Sequence, residues 1–366
     1  MEASVPRAEA SVLFMAEPVD LEITDVAFGG AGVARHGGKV YFVPFTAPGD
    51  TVRVKVLRDR RKFVEARALQ ILSASPDRAV PECEYFTRCG GCAYQHITYE
   101  KQLALKQRQV EQTLLRVGKF SEIPMRPIVA APEPYGYRNR IRVHVQDGRA
   151  GFFAHRSHEL IAIARCAIAQ SAVNESLEDL HRSAARDGDY TLFARDRSEF
   201  FEQTNDTVAA ALLDLVEQSV RREQMLLLDA YAGAGFFSRR LAPLFKEVIG
   251  IEENGHAVAR ANAMAAPNER HLLGDVAVLL AEILGTHSMD RATVILDPPA
   301  TGVSPRVADL LGAGRPSEIL YVSCNPATLA RDLAALHPAY RLESVTPFDM
   351  FPQTAEIEVL AVLRLA

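Results

Sequence analysis

Residues 226–241 read LLLDAYAGAGFFSRRL. An apolar run ends at Asp229, a tight turn carries Gly233 and Gly235, and a helical stretch follows. The two glycines let the backbone come close to a bound group at a helix N-terminus. The same texture repeats downstream. Apolar strands fall at 247–252 (EVIGIE), 270–274, 292–297 (ATVILD) and 318–323 (EILYVS), with helical stretches between them and a helix over 206–221 leading in. Such alternation predicts a parallel sheet covered on both faces, an α/β fold of Rossmann-like type. The last two strands, RLESVTPFD and EIEVLAVLRLA, have no helix between them and are expected to pair antiparallel.

Upstream the pattern changes. Residues 17–75 form short alternating runs punctuated by Gly29-Gly30, Gly32, Gly37-Gly38 and Pro48-Gly49. In DTVRVKVL, Val52, Val54 and Val56 would face inward, Arg53 and Lys55 outward. This predicts a five-stranded, OB-like β-barrel. Residues 76–205 mix strands such as YRNRIRVHV and RAGFFAH with a helix near 171–186, a central α+β domain. Within it, 99–117 predicts an amphipathic helix with Leu103, Lys106, Val110, Leu114 and Val117 as its stripe and Gly118 as its stop. Residues 206–366 then make the α/β domain, and 1–16 a loose tail.

A net charge of −5 excludes a globally basic nucleic-acid binder. Positive charge is local instead. Residues 53–67 carry Arg53, Lys55, Arg58, Arg60, Arg61, Lys62 and Arg67, and Arg138, Arg140 and Arg142 follow later. Clusters like these suit a polyanion or a solvated strand face. No apolar stretch reaches the ~18–20 residues that span a bilayer. The N-terminus has no basic segment ahead of an apolar core. A cytoplasmic protein without a membrane partner is expected.

The strand ends indicate the cofactor. Glu252 closes VIGIE, where an acidic side chain can accept from two ribose hydroxyls. A dinucleotide site would place a third glycine where Ser238 stands. Asp229 and Asp275 add two more acidic strand ends. Three such groups suit a cationic sulfonium cofactor, S-adenosylmethionine, better than a pyrophosphate. Asp297, in ILDPPAT, ends the strand that would lie beside the reactive methyl. Ala300 follows D-P-P where enzymes acting on exocyclic amines place an aromatic, which argues against an amine target.

Five cysteines remain: Cys83, Cys89, Cys92, Cys166 and Cys324. The spacing Cys83-x5-Cys89-x2-Cys92 is ligand-like, Gly90-Gly91 leaves room for a bulky inorganic group, and Cys166 is a candidate fourth ligand. Four thiolates suit zinc or an iron–sulfur cluster, and a single close pair tilts the choice toward the cluster. Cys324, in VSCNPATL, is left unmatched. Asn325 is suited to cap the next helix and Pro326 to its first turn, which would put the sulfur at a helix N-terminus that favours thiolate. A methyl donor beside a thiolate suits carbon methylation of a pyrimidine. Addition of thiolate to C6 turns C5 into a nucleophile, and a base must later remove the C5 proton. Glu356 and Glu358, in FPQTAEIEVL, are the base candidates.

VSCNPATLARD, DMFPQTAEIE, LDAYAGAGFFS, LDPP and the C-x5-C-x2-C cluster together resemble the RNA uracil-5-methyltransferase family, which makes 5-methyluridine. The similarity spans nearly all of the chain after residue 16. It is closest to the ribosomal RNA branch with an N-terminal TRAM barrel and a 4Fe–4S cluster. The resemblance implies Cys324 as nucleophile and Glu358 as proton-abstracting base. Gln203, Asp229, Gly233, Gly235, Glu252, Asp275 and Asp297 would bind cofactor or base, and Cys83, Cys89, Cys92 and Cys166 the cluster. It implies 23S rRNA as substrate, a tRNA loop uridine as the alternative, and a monomer. Two departures stand out: Glu356 replaces a common His, and Ala232 replaces the Cys before Gly233.

Overall fold

The computed structural model describes residues 17–183, 185–193 and 203–366; the tail expected over 1–16 lies outside them. The chain divides into two compact units after Arg78.

The first unit is built from β1 (Val19–Glu22), β2 (Asp25–Val26), β3 (Ala31–His36), β4 (Lys39–Pro44), β5 (Thr51–Asp59) and β6 (Phe63–Ser73). They form a sheet in the order β1-β5-β6-β4-β3-β2, six strands rather than the expected five. The extra member is the two-residue β2, too short to leave a period-two signature. β5 alternates as expected, with Val52 and Val54 fully buried and Arg53 outward. The carboxylate of Asp50 is buried. It accepts from the Ala47 and Ser75 amides and from Arg78 at 2.8 Å, which ties the 47–50 turn to the segment leaving β6.

The second unit opens with α1 (Tyr99–Arg116) and then β7 (Arg140–Gln146), β8 (Arg149–Phe153), β9 (Leu160–Ala162), α2 (Ser171–Arg182) and β10 (Gly188–Phe193). A four-stranded antiparallel sheet, β10-β7-β8-β9, carries α2 on its apolar face through Ile141, Val143, Val173 and Leu177. After α3 (Asp206–Ser219) the alternating part follows: β11 (Leu226–Ala230), α4 (Phe236–Leu241), β12 (Glu247–Glu252), α5 (Gly255–Ala263), β13 (Glu269–Leu273), α6 (Val276–Leu284), β14 (Ala292–Leu296), α7 (Pro305–Gly314), β15 (Glu318–Ser323), α8 (Pro326–Leu336), β16 (Tyr340–Phe348) and β17 (Glu358–Leu365).

These strands make one seven-stranded sheet, β13-β12-β11-β14-β15-β17-β16. The first five are parallel. β17 runs antiparallel between β15 and β16. The strand order reverses at β11, and the carboxyl edge there is where open α/β sheets bind ligands. One face is covered by α6, α7 and α8, the other by α3 and α4, so β11, β14 and β15 are buried at every residue.

α1 joins the core of this large sheet through Val110 and Leu114. Its buried face is Gln102, Leu105, Lys106, Val110 and Leu114; Leu103 is only partly covered and Val117 is exposed. The polar members of that face have specific partners. Lys106 forms a fully buried ion pair with Asp349 at 2.6 Å, and Gln102 exchanges hydrogen bonds with Gln353. No helix among the described residues is long and apolar enough to cross a membrane.

Candidate active site

At the β11 edge the backbone turns left-handed at Tyr231, Gly233 and Gly235. Gly233 has φ +53, and a Cβ there would project into open space, so room beside the loop is available to a ligand. Glu252 ends β12 and braces this loop: its carboxylate accepts from the Gly233 amide at 3.0 Å and the Asn254 amide at 2.8 Å. Asp275 caps α6 by accepting from Val278, and its side chain is exposed. Asp229 is fully buried. It accepts from the Ser238 amide at the start of α4, while its second oxygen is buried without a partner. Burial pushes its carboxyl up to about 7. The acidic strand ends therefore act first on the loop's own amides. An orphaned carboxylate oxygen and an open side of the loop fit the amino and ribose groups of the expected cofactor.

Beyond the strand reversal stand the residues expected to react. Ser323 and Val359 are the last paired positions of β15 and β17. Cys324 and Glu358 are the next residues beyond that pair, Cys324 just past the end of β15 and Glu358 at the start of β17, close enough for the Glu358 charge to act on the thiol. Cys324 is exposed, whereas Glu358 is only 4 % exposed. Asn325 caps α8 by accepting from Ala327, and Pro326 occupies the first turn, both as expected. The same Asn325 donates to the Ala300 carbonyl at 3.1 Å, as does Thr328. Arg331 and Asp332 hold Thr301 and Val303. The loop after Asp297 is thus fastened to the helix that follows Cys324.

The electrostatics correct one expectation. The start of α8 does not hold Cys324 as a thiolate. Partial burial of the thiol, then the charges of Glu358 and Asp297, push it up to about 11. Burial and Asp229 push Asp297 up to about 7. Glu358 is driven well above the ordinary carboxylate range by burial, Asp297 and Glu356. A helix terminus contributes only partial charges, and here burial together with the neighbouring carboxyl groups outweighs it.

Glu356 and Glu358 differ in surroundings. Glu356 precedes β17, is 63 % exposed at its side chain and lies 3.5 Å from Arg138. Glu358 is the buried one beside Cys324. Gln203 is buried, and its carbonyl accepts from Asn139 at 2.7 Å. Asn139 also holds Asp206, so this segment is tied to the start of β7. Arg138 does not face outward as a polyanion-binding or solvated strand residue would: its side chain is 24 % exposed and turned toward Glu356 and Phe351. Arg142 is exposed and shared with Asp189.

Cys83, Cys89, Cys92 and Cys166 come together on one cavity of about 50 Å³, also lined by Gln95, Ile141, Phe152 and Arg138. All four are free thiols. Burial raises Cys89 to about 11 and Cys92 to about 12, and raises Cys166. Like charges on neighbouring thiols oppose ionisation further. Among the described residues no three His, Cys, Asp or Glu converge as a site for a metal ion. Thiols ringing a cavity fit a larger cationic inorganic core, which would take up the charge of four thiolates. Gly90 serves another purpose than room for that group: it presses on the Phe153 backbone, where a Cβ would meet the carbonyl at 2.9 Å. Gly91 does line the cavity.

Several site-building residues were not singled out in the sequence: Gln102, Gln353 and Asp349. A lysine and a glutamine on the apolar stripe of α1 were the available signal, because a polar side chain there requires a buried partner.

Residues 278–365 match the family described as tRNA (Uracil-5-)-methyltransferase, and residues 17–69 the TRAM domain. An uncharacterized RNA methyltransferase of Bdellovibrio bacteriovorus is 33 % identical over 398 residues, covering 100 % of both chains. One from Protochlamydia amoebophila is 30 % identical, covering 94 % of this chain and 97 % of its own. The crystal structure of the Pyrococcus abyssi tRNA (uracil-54, C5)-methyltransferase with S-adenosyl-L-homocysteine superposes with a TM-score of 0.71 at 26 % identity, covering 94 % of this chain and 99 % of that one.

Proposed function

This chain belongs to the RNA uracil-5-methyltransferase family and is an S-adenosylmethionine-dependent enzyme acting on RNA, and from that premise we propose that it methylates C5 of one 23S rRNA uridine through a covalent Cys324 adduct. The observation that carries the chemistry is that β15 and β17 pair up to Ser323 and Val359, so the next residues, Cys324 and the buried Glu358, are neighbours whose charges act on each other. A tRNA loop uridine is the second reading, favoured by the likeness to the Pyrococcus abyssi tRNA enzyme over nearly its whole length. Either target must be unpaired or flipped out, because a duplex hides C5 and C6.

Cys324 passes its proton to solvent, to which it is exposed, and its sulfur bonds to C6, sending the C5–C6 π electrons toward O4. Bound S-adenosylmethionine supplies an electrophilic methyl group, which C5 takes, and a neutral thioether leaves. Glu358 then removes the C5 proton, the double bond re-forms, and the Cys324–C6 bond breaks to release the thiolate. The raised pKa of Cys324 suits this order. The thiol stays protonated beside three carboxyl groups until a cation enters the site. A cationic sulfonium in the site would offset the carboxyl groups of Asp297 and Glu358 and so favour the thiolate.

In this reading Asp229, Gly233, Gly235, Glu252 and Asp275 hold the cofactor, and Asp297 and Gln203 orient cofactor and base. Residues 206–366 are the methyltransferase domain, 17–75 the TRAM barrel and 76–205 the central domain. Cys83, Cys89, Cys92 and Cys166 hold a 4Fe–4S cluster whose role is structural or RNA-positioning and which takes part in no step of the transfer.

The test is incubation with rRNA and tRNA from a strain lacking 5-methyluridine, using labelled donor and mapping the modified nucleotide. Label at one 23S rRNA uridine is expected. Label confined to a tRNA loop supports the second reading, and transfer without a 5-fluorouridine adduct overturns the covalent route.

A further inference from the structure

Arg138 lies between the cysteine cavity and the segment that delivers Glu358. Its backbone is fixed on the loop carrying Cys166: its amide donates to Ile168 at 2.8 Å, and its carbonyl accepts from Gln170 at 2.9 Å. Its side chain lines the cavity with the four thiols. The Nε–H is buried and has no acceptor. On the other side the guanidinium lies 5.7 Å over the Phe351 ring and 3.5 Å from Glu356. The neighbouring Tyr137 hydroxyl donates to the Pro352 carbonyl at 3.0 Å. Ala93 and Tyr94, directly after Cys92, donate their amides to the Gln353 carbonyl at 3.0 and 2.9 Å. Gln353 itself has φ +67, a conformation that needs outside support. Segment 349–357 therefore hangs from the cysteine loops, and Glu358 follows it directly.

We propose that Arg138 is a positioning residue that couples filling of the four-cysteine cavity to the order of segment 349–357, and so to the placement of Glu358. The proposal rests on the four cysteines holding an anionic iron–sulfur group, as read above. A buried N–H with no acceptor is costly, even on a side chain that is partly exposed elsewhere. A thiolate- and sulfide-rich group in the cavity supplies both the missing acceptor and a counter-charge. Arg138 then stays inward, with its other face clamped on Phe351 and Glu356. With the cavity bare, solvent serves the unmatched N–H better, and the clamp loosens. Glu356, which stands where the family often has His, provides the anionic end of the bridge.

The experiment is hydrogen exchange of 349–357 on the full chain, as isolated, after stripping with chelator and oxidant, and after anaerobic reconstitution with ferrous iron and sulfide. The wild type, Arg138→Met, Arg138→Lys and Glu356→Gln are compared, with iron content and adduct lifetime on uridine RNA read in parallel. In the wild type, stripping is expected to speed exchange about tenfold, the loss of one charge-assisted bond, and reconstitution to restore it. Arg138→Met exchanges fast in every state while retaining iron, and its uridine adduct persists longer because Glu358 is misplaced. Arg138→Lys recovers part of the protection. Should Arg138→Met fail to hold iron, Glu356→Gln decides: fast exchange with iron retained supports the bridge, and slow exchange overturns it. Iron bound in the wild type with exchange indifferent to stripping overturns the coupling and leaves the cluster reading intact. A chain that takes up no iron in any preparation overturns both.

Discussion

The two halves of the carboxyl edge are built differently. The glycine-loop half, from Asp229 to Asp275, is made of neighbours in sequence. Glu252 holds Gly233, Asp229 holds Ser238 and Asp275 holds Val278, all across nineteen residues or fewer. The reactive half brings Cys324 and Glu358 together across an antiparallel pair. It is secured by bonds between residues more than two hundred positions apart, such as Lys106–Asp349 and Gln102–Gln353. The first half is a backbone cradle that forms wherever its strands form. The second exists only when the whole second unit has packed. The lesson is one of vulnerability: substitutions in the cradle should weaken cofactor binding by degrees, and substitutions around the reactive half should remove a step or the fold.

Five substitutions, with Glu356→Gln as a control, test that contrast. Cys324→Ala should have the largest effect, lowering methyl transfer by at least about 10⁴-fold with no 5-fluorouridine adduct, while RNA binding by filter assay stays within twofold. Residual turnover near the wild-type rate would remove Cys324 from the nucleophile's role. Glu358→Gln should slow turnover by about 10²–10⁴-fold and let the uridine adduct accumulate on denaturing gels; Glu356→Gln should not give that accumulation to the same extent. Lys106→Met leaves Asp349 buried and unpaired, so denaturant unfolding should show a loss of roughly 3–5 kcal/mol. A loss below about 1 kcal/mol would mean that the pair does not anchor the segment before Glu358.

On the cradle side, Glu252→Gln should weaken S-adenosylmethionine about tenfold by calorimetry, with kcat at saturating cofactor little changed. The smallest effect belongs to Asp297→Asn. Burial and neighbouring charges push the Cys324 thiol up to about 11; removing the Asp297 charge eases its ionisation, so the midpoint of an iodoacetamide alkylation titration of Cys324 should fall by about one pH unit relative to wild type. Asp297 has a linked effect on stability. Its folded pKa is raised to about 7, so the folded state keeps a proton that the unfolded chain releases. Its contribution to stability is present at low pH and lost as pH rises through the window up to about 7. Asp297→Asn should flatten that slope in urea titrations, and an unchanged slope would show that Asp297 is not the group titrating.

Much of this was legible in the sequence because it is local. The glycine turn, the acidic strand ends, the Asn325-Pro326 helix start and the alternation of Val52 and Val54 depend on residues within one or two turns of each other. Where sequence reading went astray, distance was the cause. Val117 was placed on the buried stripe of α1 and is exposed, because the packing partner and not the period sets where a buried face ends. Arg138 belongs with Arg140 and Arg142 to a cluster suited to a polyanion or a solvated strand face, and the tertiary fold turns it inward to Glu356.

The amino-acid order by itself determined the Rossmann-like alternation, the glycine turn after Asp229 and the Asn325-Pro326 helix start beside Cys324, since each follows from short-range periodicity and backbone conformation. Only the tertiary structure decided that Glu358 lies beside Cys324 while Glu356 pairs with Arg138, that four dispersed cysteines ring one cavity, and that the thiol sits high rather than low on the pH scale. Those are outcomes of long-range pairing and burial, in which the sum of neighbouring charges in a poorly solvated site outweighs any preference a single residue carries.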